Sequence, residues 1–406
     1  MFLERYPAHR KNITIFVVVL TLMPLIVFKY FNFIHYNIVD ALNKIGVEMQ
    51  LTGLNWAIPI GISFFTFQAV GYYLDCYHNR IKAEKNAIDY TLFVCFFPQI
   101  ASGPISKAAE LLPQIKRKDF FVFSKAKDGI RMIVWGLFLK LVIADRLGMC
   151  VDTIYKGFEI YSGFTCFIGS VFYSLQIYCD FAGYTYLALG IAGMFGYDLI
   201  NNFRQPYFSI SITDFWRRWH ISLSRWLKDY VYIPLGGSRC SRIRNYWNIF
   251  VTFLVSGIWH GANWTFIIWG IFHGVVQILE KQFNMQAYKG NRKSIRCIRI
   301  ILTFLLVNFA WIFFRMPSID DAMNYIGHMI TTGGSFNMES TGLTSLFVLT
   351  ISLSILLLRD ILAELRSPIQ SYLNNSVVSV AVMTTLLAFI LSVGVLDNST
   401  FIYANF

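Results

Sequence analysis

Charge is what this sequence is short of. Of its 406 residues only 14% are Asp, Glu, Lys or Arg, against 56% hydrophobic ones, whereas a soluble globular chain carries about a quarter charged residues. A fold of this size cannot be covered for water with so little polar surface, so a freely soluble protein is excluded and an integral membrane protein remains. The seven cysteines, Cys76, Cys95, Cys150, Cys166, Cys179, Cys240 and Cys297, contain no CxxC pair and no zinc-like spacing. No metal site is expected from them, and the thiols read as reduced apolar filler. The net charge of +12 belongs to no soluble basic domain that would grip a duplex. It reads as basic loops facing a cytoplasm and its anionic membrane lipids, not nucleic acid. The N-terminal MFLERYPAHRKN precedes an apolar run without a small-residue cleavage pattern, so the first segment is expected to be a signal-anchor or an ordinary span.

What is present is a series of apolar runs. They are Ile13–Ile34, Trp56–Tyr77, Tyr90–Ile105, Ile130–Leu147, Phe164–Asp180, Tyr184–Phe195, Tyr246–Ile258, Trp264–Leu279, Cys297–Phe314, Ser345–Leu358 and Val377–Leu396. A span needs roughly 20 apolar residues, so the shorter runs are expected to be tilted, re-entrant or buried. The expected fold is all-α: a polytopic membrane helical bundle of about ten transmembrane or re-entrant segments, with residues 1–406 forming one integral-membrane domain.

Basic residues gather in Lys116–Arg131, Arg217–Arg244, Lys281–Arg299 and, more weakly, around Arg359 and Arg366. Met316–Ser345 carries acids and no Lys or Arg. The positive-inside rule places the basic loops in the cytoplasm and predicts an extracytoplasmic C-terminus. Residues 245–280 lie between two cytoplasmic loops and must therefore enter the membrane and return, turning at Trp259–Trp264.

That hairpin reads SGIWHGANWTFIIWGIFHG over residues 256–274. Gly257 and Gly261, and Gly270 and Gly274, make two small-xxx-small steps that let backbones approach closely. Histidine within such a segment is costly, and ionisable groups inside membranes are usually functional. His260, at the turn with Ser256, Asn263 and tryptophans nearby, is the functional candidate. His273 reads as a packing histidine with Gln277 as its hydrogen-bond partner. A neutral imidazole can take a proton from a hydroxyl as general base, which suits acyl transfer from a thioester to an alcohol.

Further stretches carry polar residues in apolar surroundings. In SISITDFWRRWHISLSRWLKDYVYIPLGGSR, residues 209–239, Ser211 and Asp214 form a capping box. A helix is expected from Ile212, with Trp216, Trp219, Leu223, Trp226, Leu227 and Tyr230 on one face and Arg218, Arg225 and Asp229 on the other. It reads as an interfacial amphipathic helix whose basic face could receive the phosphates of a cytoplasmic acyl donor, with His220 at the border of the aromatic stripe. FFPQIASGPISKAAELLPQI, residues 96–115, holds Pro98, Gly103, Pro104 and Pro113 and is expected to be a re-entrant element lining a pocket. Asp180, in LQIYCDFAGYTYLALG, needs a partner, expected to be a histidine, arginine or tyrosine of the core. In the terminal FIYANF the aromatics read as an interfacial anchor, and the Tyr403 hydroxyl could also carry an acyl group.

Taken in order, IGISFFTFQAVGYYLD, FFPQIASGPISKAAELLPQI, YCDFAGYT, ITDFWRRWHISLSRWLKDYVYIPLGGSR and SGIWHGANWTFIIWGIFHG resemble the membrane-bound O-acyltransferase family, in its bacterial alginate O-acetyltransferase-like branch. The resemblance is strongest over residues 56–280. It implies a helical bundle around a central funnel, His260 at the family's catalytic histidine, His220 at the upstream partner position, and a terminal F-x-Y-x-x-F that makes Tyr403 a possible acyl relay. Where the branch has an acid after GY[ST], this chain has Tyr186. Trp259, Asn263, Ser256, Asp180, Trp219 and Arg217 are the pocket or substrate-binding candidates. The expected reaction is transfer of an acetyl group from acetyl-CoA to hydroxyls of an extracytoplasmic envelope polysaccharide. No cofactor is bound permanently in this reading, and an SGNH-type transferase or an acyl-carrier protein is a possible partner. D-alanyl transfer to teichoic acid is the nearest alternative, and a proton-coupled transporter is the alternative from another class.

Overall fold

A computed structural model describes residues 7–50, 52–54, 56–117, 121–286, 290, 292–337, 343–366, 376–396 and 402. Every regular element among them is helical. Helix α1 spans Arg10–Lys44, and Pro24 lies inside it. Proline cannot donate the helical N–H bond and crowds the carbonyl four residues back, and the helix continues through a π-turn, Ile26–Tyr30. Helix α2 (Ile62–Tyr77) packs against α1. Short helices α3 (Ala87–Val94) and α4 (Ala108–Lys116) flank the proline-broken stretch.

Helix α5 comprises Phe123–Leu137, a π-helical stretch Phe138–Ala144, and Asp145–Lys156. Helix α6 runs unbroken over Gly163–Met194, 32 residues. Apolar spacing predicts two runs here, Phe164–Asp180 and Tyr184–Phe195, instead of one helix. The helix continues because Asp180 is neutralised from the side and because Gly183 and Gly190 let α5 come close. A Cβ on Gly190 would sit 2.5 Å from the Gly129 carbonyl, and one on Gly136 would sit 2.7 Å from that of Gly183.

Helices α7 (Ile212–Trp216) and α8 (Ile221–Leu227) replace the single amphipathic helix expected there. Helices α9 (Arg242–His260) and α10 (Trp264–Gln282) form the anticipated hairpin. Helices α11 (Lys293–Arg315), α12 (Ile319–Thr331), α13 (Leu343–Glu364) and α14 (Ser376–Val393) complete the described chain.

Among the described residues three helices, Arg10–Lys44, Lys293–Arg315 and Thr344–Glu364, are long and apolar enough to cross a membrane by length and composition. Phe16, Val19, Leu20 and Met23 of α1 and Ile301, Leu302 and Leu305 of α11 stay exposed, as lipid-facing surface does in a membrane protein. The main core joins α5, α6, α7, α10, α11 and α12 around Phe138, Tyr173, Phe215, Trp219, Trp269, Trp311 and Tyr325. A smaller cluster of Phe64, Phe67, Leu223, Trp226 and Trp259 links α2, α8 and the end of α9. The histidines lie where these two clusters meet.

The small-xxx-small steps of the hairpin are used as the spacing implies. A Cβ on Gly270 would lie 2.5 Å from the Phe253 carbonyl and 3.1 Å from the Gly257 Cα. Gly270→Ala is therefore expected to cost about 1–3 kcal/mol through overpacking, measured as earlier thermal unfolding in detergent, whereas alanine at Gly327, whose added Cβ meets nothing within 4 Å, should avoid that clash.

Candidate functional site

The 209–239 segment builds the first half of the site. Ser211 caps α7, its Oγ accepting from the Asp214 N–H at 3.0 Å. Glu280 accepts from the first amides, Ile212 and Thr213. The chain then breaks, and His220 takes left-handed angles, φ 44° and ψ 53°, a conformation that costs a non-glycine residue free energy and is held only by its surroundings. Asn202 supplies part of that hold. Its backbone carbonyl accepts from the Ile221 N–H at 3.1 Å and its side-chain oxygen from the Ser222 N–H at 3.1 Å. The broken stretch supplies more, since the Ile105 N–H donates to the Ser222 Oγ at 3.0 Å. The residues around that turn, Phe96, Gln99, Ser102, Gly103, Pro104, Ile105 and Ser106, are buried, as irregular backbone at membrane depth must be.

The break overturns the interfacial-helix reading. Trp219, Leu223 and Trp226 are buried against protein, so the aromatic stripe faces the bundle rather than lipid. Nor is the opposite face an open phosphate receptor. Arg218 pairs with Asp214 at 3.1 Å and Glu364 at 2.7 Å, Arg225 pairs with Glu110, and Asp229 pairs with Lys107.

The hairpin builds the second half. His260 is the last residue of α9, and Gly261 follows because a Cβ there would overlap the Phe266 ring. At 1.5 Å per residue, His260 lies about 27 Å along the helix from Arg242, close to the thickness of a bilayer's hydrocarbon core. Its ring is buried among Trp259 (4.9 Å between centroids), Trp269 (4.9 Å) and Phe314 (5.2 Å). The His220 ring lies 6.4 Å away, against Phe181 at 4.7 Å and Trp259 at 5.9 Å. Two imidazoles 40 residues apart in sequence are thus brought into one aromatic chamber.

The other candidates separate into groups. Trp259 belongs to the chamber. Ser256, one turn before His260, is fully buried. Asn263 caps α10, accepting from the Thr265 N–H and donating to the Pro317 carbonyl. Trp219 is core, packed on Phe203, Phe215 and Trp311. Arg217 is exposed. His273 accepts from the Trp216 indole N–H at 3.3 Å, so its partner comes from α7 rather than from Gln277. Asp180 is bound by Lys140, which reaches both Asp180 and Asp145 at 2.7 Å. The partner is a lysine and not the expected histidine, arginine or tyrosine, because the π-helical stretch of α5 presents Lys140 to the same level of α6. Asp180 also accepts the Ile402 N–H at 2.8 Å, which ties Ile402 to the middle of α6. Tyr403 lies outside the described residues. Tyr186, standing where an acid is usual, takes the Arg359 guanidinium on its hydroxyl at 3.0 Å.

Sequence reasoning passed over Lys29, Tyr30, Asn202 and Ser222. Lys29 is buried and its Nζ donates to the Trp259 carbonyl at 2.7 Å. A lone cation inside the apolar run Ile13–Ile34 was the signal for it.

The class these features define is a polytopic α-helical membrane protein in which a buried histidine at the end of a re-entering hairpin faces a second from the segment before it. The model of MBOAT, the membrane-bound O-acyltransferase family, matches residues 8–318, and the chain belongs to that family of acyltransferases. It is 38% identical over 343 residues to the probable alginate O-acetylase AlgI of Azotobacter vinelandii, covering 83% of this chain and 67% of the relative. It is 36% identical over 307 residues to a peptidoglycan O-acetyltransferase of Helicobacter pylori, covering 69% and 58%. To a teichoic acid D-alanyltransferase of Streptococcus thermophilus it is 26% identical over 341 residues, covering 77% and 78%. The chain thus spans about two thirds of the length of the Azotobacter relative and less of the Helicobacter one.

Proposed function

We propose that this protein is a cell-membrane O-acetyltransferase that moves an acetyl group from cytoplasmic acetyl-CoA to hydroxyls of an extracytoplasmic envelope polysaccharide. The observation that carries this reading is the buried pair of His260 and His220, on a chain whose relatives at 36–38% identity are named as O-acetylating enzymes of alginate and peptidoglycan. The D-alanyltransferase relative stands at 26%, which favours acetyl over D-alanyl. Acetyl-CoA is the donor in this reading and no group is bound permanently.

Chemically, the acceptor oxygen attacks the thioester carbonyl while the His260 imidazole takes the hydroxyl proton. The C–S bond then breaks, and the departing thiolate receives the proton from the imidazolium, so the histidine ends as it began. His220, one ring away in the aromatic chamber, assists by holding the reacting groups in a water-poor space, where polar interactions are stronger than in water. The acceptor is the polysaccharide itself, or the Tyr403 hydroxyl, or a partner of the SGNH or carrier type that relays the group. The tie between Ile402 and Asp180, whose neighbour Phe181 touches His220, supports the terminal relay. The distribution of loop charge supports an extracytoplasmic C-terminus in this reading.

Label from acetate, but not from D-alanine, is expected to enter the envelope polysaccharide as alkali-labile ester only in cells that make the protein. Protein-dependent D-alanine ester with no acetate ester would overturn the acetyl reading.

A further inference from the structure

The hairpin helix α9 ends on two buried residues, Trp259 and His260, and the last four carbonyls of any helix have no partner within it. Water satisfies them at a surface, but in a low-dielectric interior each one left unmade is expensive. Two of these carbonyls, on the residues immediately before His260, are met by two consecutive side chains of α1. The Tyr30 hydroxyl donates to the Ile258 carbonyl at 2.6 Å, and the Lys29 Nζ donates to the Trp259 carbonyl at 2.7 Å. Lys29 also reaches the Ser63 Oγ at 3.3 Å, which ties α2 into the same point. Its nitrogen stands 5.8 Å from the centre of the Trp259 ring, a ring that packs against both histidines.

The reason α1 can do this is local. Adjacent residues on an ideal helix point about 100° apart, and a π-turn carries one residue more per turn than the α-helix. The π-turn of α1 is Ile26–Tyr30, two residues beyond Pro24, and it ends on the two capping residues. It thereby lets both of them reach one neighbouring helix end.

We infer that Lys29 and Tyr30 are positioning residues for His260, side-chain caps that fix the end of α9 so that the imidazole keeps its place in the aromatic chamber opposite His220. This rests on the reading of His260 as the base. The two residues hold the backbone on which the base is mounted and do not touch the reacting atoms, and a shift of about 1 Å at a reacting group costs about a hundredfold in rate.

The test uses the full chain in membrane vesicles from producing cells, which carry their own acceptor, supplied with radiolabelled acetyl-CoA. Tyr30→Phe removes one donor with almost no change in shape, and Lys29→Met removes the other while keeping the length of the stem. Tyr30→Phe is expected to lower the maximal rate of ester formation about tenfold, and Lys29→Met by at least that much, with the KM for acetyl-CoA within about twofold of the parent. Lys29→Arg, which can still donate, should recover part of the loss. Hydrogen–deuterium exchange provides a readout independent of chemistry: peptides covering residues 255–263 should exchange faster in both variants, while those of α6 stay unchanged. Unchanged exchange at 255–263, or a rise in KM with an unaltered maximal rate, overturns the inference. Faster exchange in the variants together with full activity in His260→Ala would leave the caps standing and overturn only the assignment of the base.

Discussion

Replacing His260 with glutamine is expected to lower acetyl-ester formation at least about a hundredfold, with the protein still inserted at its normal level. A general base in place contributes about 10²–10⁴-fold, and glutamine retains polarity and much of the volume of the ring but cannot take a proton. The aromatic cage of Trp259, Trp269 and Phe314 makes the choice of substitute important. Alanine would also leave a void between three large rings, costing some stability for reasons unrelated to catalysis. Comparing the two separates these effects. Both should abolish activity, while glutamine should leave unfolding in detergent closer to that of the parent. Retained polysaccharide acetylation in the glutamine variant would remove His260 from the chemistry. The matching change at His273, buried but hydrogen-bonded to Trp216, should affect stability more than rate.

The second large effect is on stability. Lys140 is buried between Asp145 and Asp180, bridging both at 2.7 Å. Lys140→Met leaves two carboxylates in the bundle interior without their shared cation. Breaking a buried ion pair from one side costs about 3–5 kcal/mol, and the expected result is a protein that inserts poorly or inactivates far faster in detergent. Asp180→Asn should be much milder for the fold, because Lys140 keeps Asp145 and an amide can still accept. The asymmetry is the informative part: if the two variants inactivate at similar rates, the triad is not what stabilises this region.

Composition and periodicity determined a good deal on their own. A chain with 14% charged residues has to be in a membrane, and the basic loops on both sides of residues 245–280 made that segment a hairpin with His260 at its turn. Those are long-range consequences of solvent and charge, which do not depend on which helix meets which. The glycine spacing also sufficed to predict a close helix approach, because only a missing side chain allows two backbones so near.

Only the tertiary structure decided the rest. Helical periodicity predicts one amphipathic helix after Ser211, since the pattern of apolar residues cannot register a single residue held at φ 44° by the Asn202 side chain and the Ile105 N–H from elsewhere in the chain. The partner of Asp180 was equally hidden. Any cation of the bundle would satisfy a buried carboxylate, and the one that does is selected by a π-helical stretch that leaves no mark in apolar spacing. The same holds for the end of α9. Whether orphaned carbonyls are met, and by what, depends on a helix more than 200 residues away in sequence, so the position of the imidazole is a property of the packed bundle and not of the motif that contains it.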